Sequence, residues 1–232
     1  VSRWRRARAG ETGRRRRRPG CLPLALVLLA GILLVAGLAL RPAALPRPGP
    51  LASAPRQATV THLRPVVSFA AIRDPSARSV ALFAEAGRVI QHPRCLNCHP
   101  RGDSPTQTGR MRPHLPSVRR GVDGGGEVTL RCTTCHHAAN FAPAGVPGHA
   151  AWRLAPAEMA WQGRSLGAIC RQMLDPARAH MDRAALRRHL AQDALVGWAW
   201  HPGGTREPAP GTQEEFGALI AAWLETGARC PA

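Results

Sequence analysis

The chain contains no lysine and no tyrosine, and only 4% of its 232 residues are aromatic. With 23 glycines and 22 prolines added to that shortage, a sandwich of Tyr- and Phe-rich strands or a large aromatic core is excluded. Acidic residues are scarce as well, 14 against 32 basic ones, and every basic residue is arginine, for a formal net charge of +18. A basic set made of arginine alone is a compositional bias, so the charge does not by itself argue for a nucleic-acid partner, and none is expected. The length allows one domain with a small appendage.

The charge is unevenly placed. Arg3, Arg5, Arg6, Arg8 and the run Arg14 to Arg18 precede residue 20 with only Glu11 against them, a balance of 9 − 1 = +8 that leaves +10 for the rest. One long apolar run comes next, Cys21 to Leu40, twenty residues without a charge and closed by Arg41. At about 1.5 Å per residue it would span roughly 30 Å, the thickness of a hydrocarbon core. A buried core helix would be amphipathic and this segment is not, which leaves a cleaved signal peptide or an uncleaved signal anchor, both exporting the rest of the chain. The run exceeds the ~7–15 residues of a signal h-region, and Gly37-Leu38-Ala39 is a poor cleavage site, so the anchor is the expectation. That reading puts residues 1–20 in the cytoplasm, a transmembrane helix at 21–40, and the remainder in the periplasm, on a bacterial inner membrane crossed once.

Residues 41–73 are rich in Pro, Ala and Ser without a hydrophobic period and read as a tether, leaving 74–232 as the folded domain. There the helix signals are clear. Asp74-Pro75 opens one with Val80, Phe83, Ala84, Gly87 and Ile90 at helical spacing, Ser165 opens a second through Leu174, and Asp182 a third through His189. Thr212 and Glu215 form a capping box ahead of Phe216, Leu219, Ile220, Trp223 and Leu224, with Gly227 as the stop. Between Pro100 and Pro156 no period exists, so something other than an apolar core must organise that stretch.

Two pentapeptides offer the organiser. Cys95-Leu96-Asn97-Cys98-His99 and Cys132-Thr133-Thr134-Cys135-His136 are both C-x-x-C-H, the attachment motif of c-type haem. Two thiols three positions apart reach the two vinyl groups of one porphyrin, and the adjacent histidine turns its imidazole to the iron. A four-thiolate zinc site or a redox disulfide could use the cysteines, but neither explains a histidine directly after both pairs. His99 and His136 are therefore the expected proximal iron ligands, with Cys95, Cys98, Cys132 and Cys135 as thioether donors to two covalent haems c.

The sixth position on each iron is open to several residues. His114 sits on a proline-stiffened loop between the motifs, and Met159 comes after the loop proline Pro156, as distal methionines do in single-haem cytochromes. His189 is a weaker candidate, on a helix whose other face carries Leu186 and Leu190. Cys170 and Cys230 remain, either as a disulfide holding the last helix or as two buried thiols.

On its two pentapeptides the chain resembles exported di-haem c-type cytochromes. Its strings Trp152-Arg153-Leu154-Ala155-Pro156, Met159-Ala160-Trp161, Leu195-Val196-Gly197-Trp198-Ala199-Trp200 and Cys230-Pro231 also resemble cytochrome subunits associated with bacterial isoquinoline 1-oxidoreductases. The resemblance implies a mainly α, loop-rich cytochrome c domain around two haems, with no catalytic residue of its own. It further implies single-electron carriage between a dehydrogenase, such as a molybdenum-dependent one, and a respiratory chain. A haem enzyme or sensor with one five-coordinate iron is the alternative, and a four-cysteine zinc module a more remote one.

Overall fold

The computed structural model describes residues 62–232. Each of the main helices begins where a side chain can accept the first free amide. Asp74 caps α1 (Pro75–Ile90), Ser165 caps α3 (Leu166–Leu174), and Asp182 caps α5 (Arg183–Gln192). Thr212 and Glu215 complete a reciprocal capping box at α7 (Gln213–Glu225). Single-turn helices lie between them: α2 (Pro93–Leu96), α4 (Pro176–Ala179) and α6 (Ala194–Gly197).

The core is helical. Helix α7 packs against α1 on one side and α5 on the other, with Phe83 and Trp223 in contact at 4.5 Å between ring centroids. Where α5 and α7 cross, a Cβ on Gly217 would stand 2.7 Å from that of Ala191, so glycine is what permits the approach. The indole of Trp223 donates to the Arg229 carbonyl, and Ser79 donates to the Trp223 carbonyl while accepting from the Arg229 amide, which fastens the chain end back onto α1. Cys170 and Cys230 are joined as a disulfide linking α3 to the residues after α7.

Residues 97–153 contribute no side chain to that core, which the chain rejoins at Met159 and Trp161. They carry two short antiparallel hairpins, β1 (Thr106–Gln107) with β2 (Arg112–Pro113), and β3 (Gly126–Glu127) with β4 (Leu130–Arg131), joined by turns. The stretch is held by hydrogen bonds to its own backbone. Arg120 is buried and donates to the carbonyls of Gly102 and Ala155, and the Leu154 amide donates to the Gly124 carbonyl.

Three expectations need correction. The fold is not helix and loop alone, because two hairpins reverse the chain at residues 108–111, where Thr108 and Met111 take φ of +70° and +49°, and at 128–129, just after the glycine run Gly124 to Gly126 leads into β3. The transmembrane helix is not found, since no helix among the described residues is long and apolar enough to cross a membrane. The longest, α1, has 16 residues, about 24 Å at 1.5 Å each, and buries one face. The segment 21–40, on which that helix and the single-pass inner-membrane placement were expected, lies outside the described residues, as does the arginine cluster before it, and no described helix supports either. Finally, packing begins ahead of Asp74. Leu63 and Phe69 are buried in the helical core, and the Leu63 amide and His62 ring both meet the carboxylate of Glu215, so the last part of the 41–73 segment is folded.

Closing a loop with the Cys170–Cys230 bridge restricts the unfolded chain. Replacing both cysteines with serine is expected to cost about 2–4 kcal/mol, read as a lower urea midpoint.

Candidate haem-binding sites

The first C-x-x-C-H arm starts on α2, which His92 caps by accepting the Arg94 amide ahead of Pro93. The Cys98 and His99 amides both fold back on the Cys95 carbonyl, so Cys95, Cys98 and His99 share one helical turn. The arm is stitched to the 154–161 loop. The Ala155 amide donates to the Cys98 carbonyl, and the Trp161 amide to the His99 carbonyl. The second arm is built alike, with a 3₁₀ turn at Cys132–Thr134 and the His136 amide donating to the Cys132 carbonyl.

Both imidazoles are held the same way. His99 Nδ1 lies 2.7 Å from the Met159 carbonyl oxygen, and His136 Nδ1 lies 2.7 Å from that of Pro147. A carbonyl can only accept, so each Nδ1 carries the proton and each Nε2 presents a lone pair, the tautomer of a metal-ligating histidine with its outer partner in place. Each ring is also backed by an indole: Trp161 stacks on His99 at 3.5 Å and 9°, and Trp152 on His136 at 4.8 Å and 14°. Burial pushes the His99 pKa down to about 4 and lowers that of His136, which keeps both lone pairs free at neutral pH.

A cavity opens in front of each arm. Cys95, Cys98 and His99 line one of about 710 Å³, and Cys98, Cys132, Cys135 and His136 line another of about 830 Å³. Both volumes lie at the upper end of the roughly 300–1,000 Å³ typical of ligand pockets. Cys98, Arg94, Trp152, Leu154 and Trp198 line both, so the two spaces share a wall. Burial pushes the thiols of Cys95 and Cys98 up to about 12 and about 11, with the neighbouring thiols, Cys98 for Cys95 and Cys132 for Cys98, adding to it. A neutral thioether carries no such penalty, whereas a thiolate would.

The residues fit covalent haem on three further counts. Two donors lining the first cavity, Trp161 Nε1 and Arg120 Nε, are buried without a partner and could donate to the carboxylates of a porphyrin. Arg94 lines both cavities and Arg206 the second, and burial lowers the pKa of both, so each would gain from an anion. Among the described residues no three His, Cys, Asp or Glu side chains converge as a tetrahedral metal site requires, which leaves the zinc alternative without support.

The candidate distal residues separate. Met159 also lines the first cavity, and its carbonyl meets His99 Nδ1 on the side away from Nε2. His114 lines the second cavity with its ring centroid 5.8 Å from that of His136, and its Nδ1 lies 2.8 Å from the Pro116 carbonyl oxygen. His189 lines the first cavity with Nδ1 3.3 Å from Asp193 Oδ2. Partial burial pushes the Asp193 carboxyl up, but the amides of Leu195 and Val196 and the His189 ring outweigh it and hold the carboxyl below its ordinary value. Met173 and Met181 also line the first cavity, the former fully buried in the helical core. His62, His92 and His149 are engaged elsewhere, by Glu215, the Arg94 amide and the Ala151 amide.

The sequence offered no sign of the two carbonyl partners, since a backbone oxygen leaves no mark on residue identity. The structure puts the indoles of Trp161 and Trp152 against the His99 and His136 rings and those of Trp223 and Trp200 in the helical core. Comparison with protein-family models, with curated proteins and with solved structures returns no match.

The hairpin leading into Cys132 is clamped by Arg131, whose guanidinium bonds both oxygens of Asp123. That hydrogen bond first, then the Gly125 amide, holds the Asp123 pKa at about 2 against an ordinary 3.8. A depressed folded value means stability that is present above the ordinary value and lost as pH falls through the folded one. Between 3.8 and about 2, urea midpoints should therefore fall more steeply for the native protein than for Asp123→Asn.

Proposed function

We propose that this chain is a di-haem c-type cytochrome that carries single electrons. The observation that supports this reading best is the repeated construction at its two C-x-x-C-H arms: both proximal imidazoles donate from Nδ1 to a backbone carbonyl and both face a cavity of porphyrin scale. Cys95, Cys98 and His99 would hold one haem, and Cys132, Cys135 and His136 the other. Bound haem supplies one-electron cycling of its iron between ferric and ferrous states.

The chain's own residues do the remaining work. The Met159 and Pro147 carbonyls raise the basicity of the ring they hold, favouring the ferric state. Trp161 and Trp152 exclude water from the proximal side, and Arg94 at the shared wall stabilises negative charge between the sites. Because Cys98 lines both cavities, the residues that would hold the two cofactors are neighbours, and the pair would supply one-electron chemistry on either side of a shared wall. The physiological partner is a redox protein, for which the molybdenum-dependent dehydrogenase implied by the resemblance is one donor, and arginine-rich surfaces suit an acidic docking face.

Expression of the full chain with c-type maturation machinery should give a red protein whose mass exceeds the polypeptide by two haems. Cys132→Ser with Cys135→Ser should leave a single covalent haem. A colourless native protein of polypeptide mass would end the proposal.

A further inference from the structure

The sixth coordination position decides whether such a protein only passes electrons or also binds small ligands, and the structure carries information on it. Four imidazoles line the two cavities with Nδ1 facing an oxygen: His99, His136, His114 and His189, whose partners are the carbonyls of Met159, Pro147 and Pro116 and the carboxylate of Asp193. Two of the four stand directly after the cysteine pairs. The other two stand one in each cavity.

We propose that His114 and His189 are the distal ligands, His114 to the iron held by His136 and His189 to the iron held by His99, so that both centres are bis-imidazole. The assignment rests on the di-haem reading and deepens it. For the second site the spacing is direct. With metal–nitrogen bonds of about 2.0–2.1 Å and roughly 1.1 Å from each nitrogen to its ring centre, two imidazoles on one metal stand about 6 Å apart. His114 and His136 stand at 5.8 Å. Their Nδ1 atoms are both turned to carbonyls, which leaves two Nε2 lone pairs in one cavity.

For the first site the choice lies among His189, His180, Met159, Met173 and Met181. Met159 is tied by its carbonyl to the Nδ1 side of His99, too far back for its own thioether to reach the position opposite Nε2, and no hydrogen bond among the described residues orients the His180 ring. Met173 is fully buried among the helical core side chains and is committed to packing. Met181 has no polar atom orienting it. His189 projects from α5 and is fixed by Asp193 one turn later, a carboxylate–histidine pair of the kind that orients metal ligands. Asp193 is itself immobilised, since its other oxygen accepts from the Leu195 and Val196 amides at the start of α6. A second imidazole in place of methionine lowers the reduction potential, and six strong ligands leave no site for an external molecule.

The test uses the full chain matured with haem. Native protein carrying two haems by mass should be wholly low-spin when oxidised, should lack the far-red methionine–iron charge-transfer band, and should bind no carbon monoxide when reduced. His114→Ala and His189→Ala should each expose one iron, giving one carbon monoxide per chain and half the low-spin signal, and added imidazole should restore the signal in each. Met181→Leu should change neither readout. A methionine–iron band or carbon monoxide uptake in the native two-haem protein would overturn the assignment, even if the alanine variants fail to mature. Retention of full low-spin character in either alanine variant would overturn it for that iron. Native protein without haem overturns the underlying reading, which the mass measurement reports separately.

Discussion

Each proximal imidazole is tied by its Nδ1–H to a main-chain carbonyl, and the loop-rich half of the domain is arranged around those two bonds. The Met159 carbonyl is presented by a 3₁₀ turn at Ala157–Met159, which α3 and α4 support from behind. The Pro147 carbonyl comes just after a turn closed by mutual hydrogen bonds between Phe141 and Val146. Taken singly such a bond contributes about 1 kcal/mol, so its importance lies in direction. A backbone oxygen cannot swing as a carboxylate can, and a ring held by one while an indole covers its face has a single orientation left.

The local signals proved legible and the long-range ones did not. Asp74, Ser165, Asp182 and the Thr212–Glu215 pair each accept an amide within three residues, so their chemistry is written in consecutive letters, and the helices begin where those letters stand. The C-x-x-C-H arms are equally local. By contrast, Leu63 and Phe69 sit in a stretch whose average composition reads as solvated, and the Glu215 carboxylate that receives the Leu63 amide stands 152 residues later in the chain. The hairpins depend on Arg120 reaching Gly102 and Ala155, contacts that no period encodes. His189 read as a surface position from helical spacing, yet Asp193 four residues later was the available sign that its ring is oriented.

The domain thus divides its labour between two kinds of cohesion. Its helical half buries Phe83, Phe216, Ile220 and Trp223 almost completely and locks the chain end with hydrogen bonds and a disulfide. Its other half has hydrogen-bonded turns around donors without partners, Trp161 Nε1 and Arg120 Nε, and cations turned inward at Arg94 and Arg206. Such an interior is costly in isolation and becomes favourable once flat apolar surface and two or more carboxylates fill it. The aromatic poverty of the sequence and the inward placement of arginine belong to one design.

The Cys170–Cys230 disulfide shares its domain with four free thiols at 95, 98, 132 and 135. Complete pairing of the six cysteines among the described residues would consume 95, 98, 132 and 135, whereas thioether attachment on the proposed reading would need Cys170 and Cys230 to pair with each other alone. Each C-x-x-C is emitted from synthesis well before residue 230, and its two sulfurs are nearer to one another in the chain than to any other partner. On the proposed reading, biogenesis becomes a sorting problem in time: the early thiols would have to be kept reduced or handed to porphyrin while the last cysteine waits for Cys170, so an oxidant and a reductant would act on the same short chain in order.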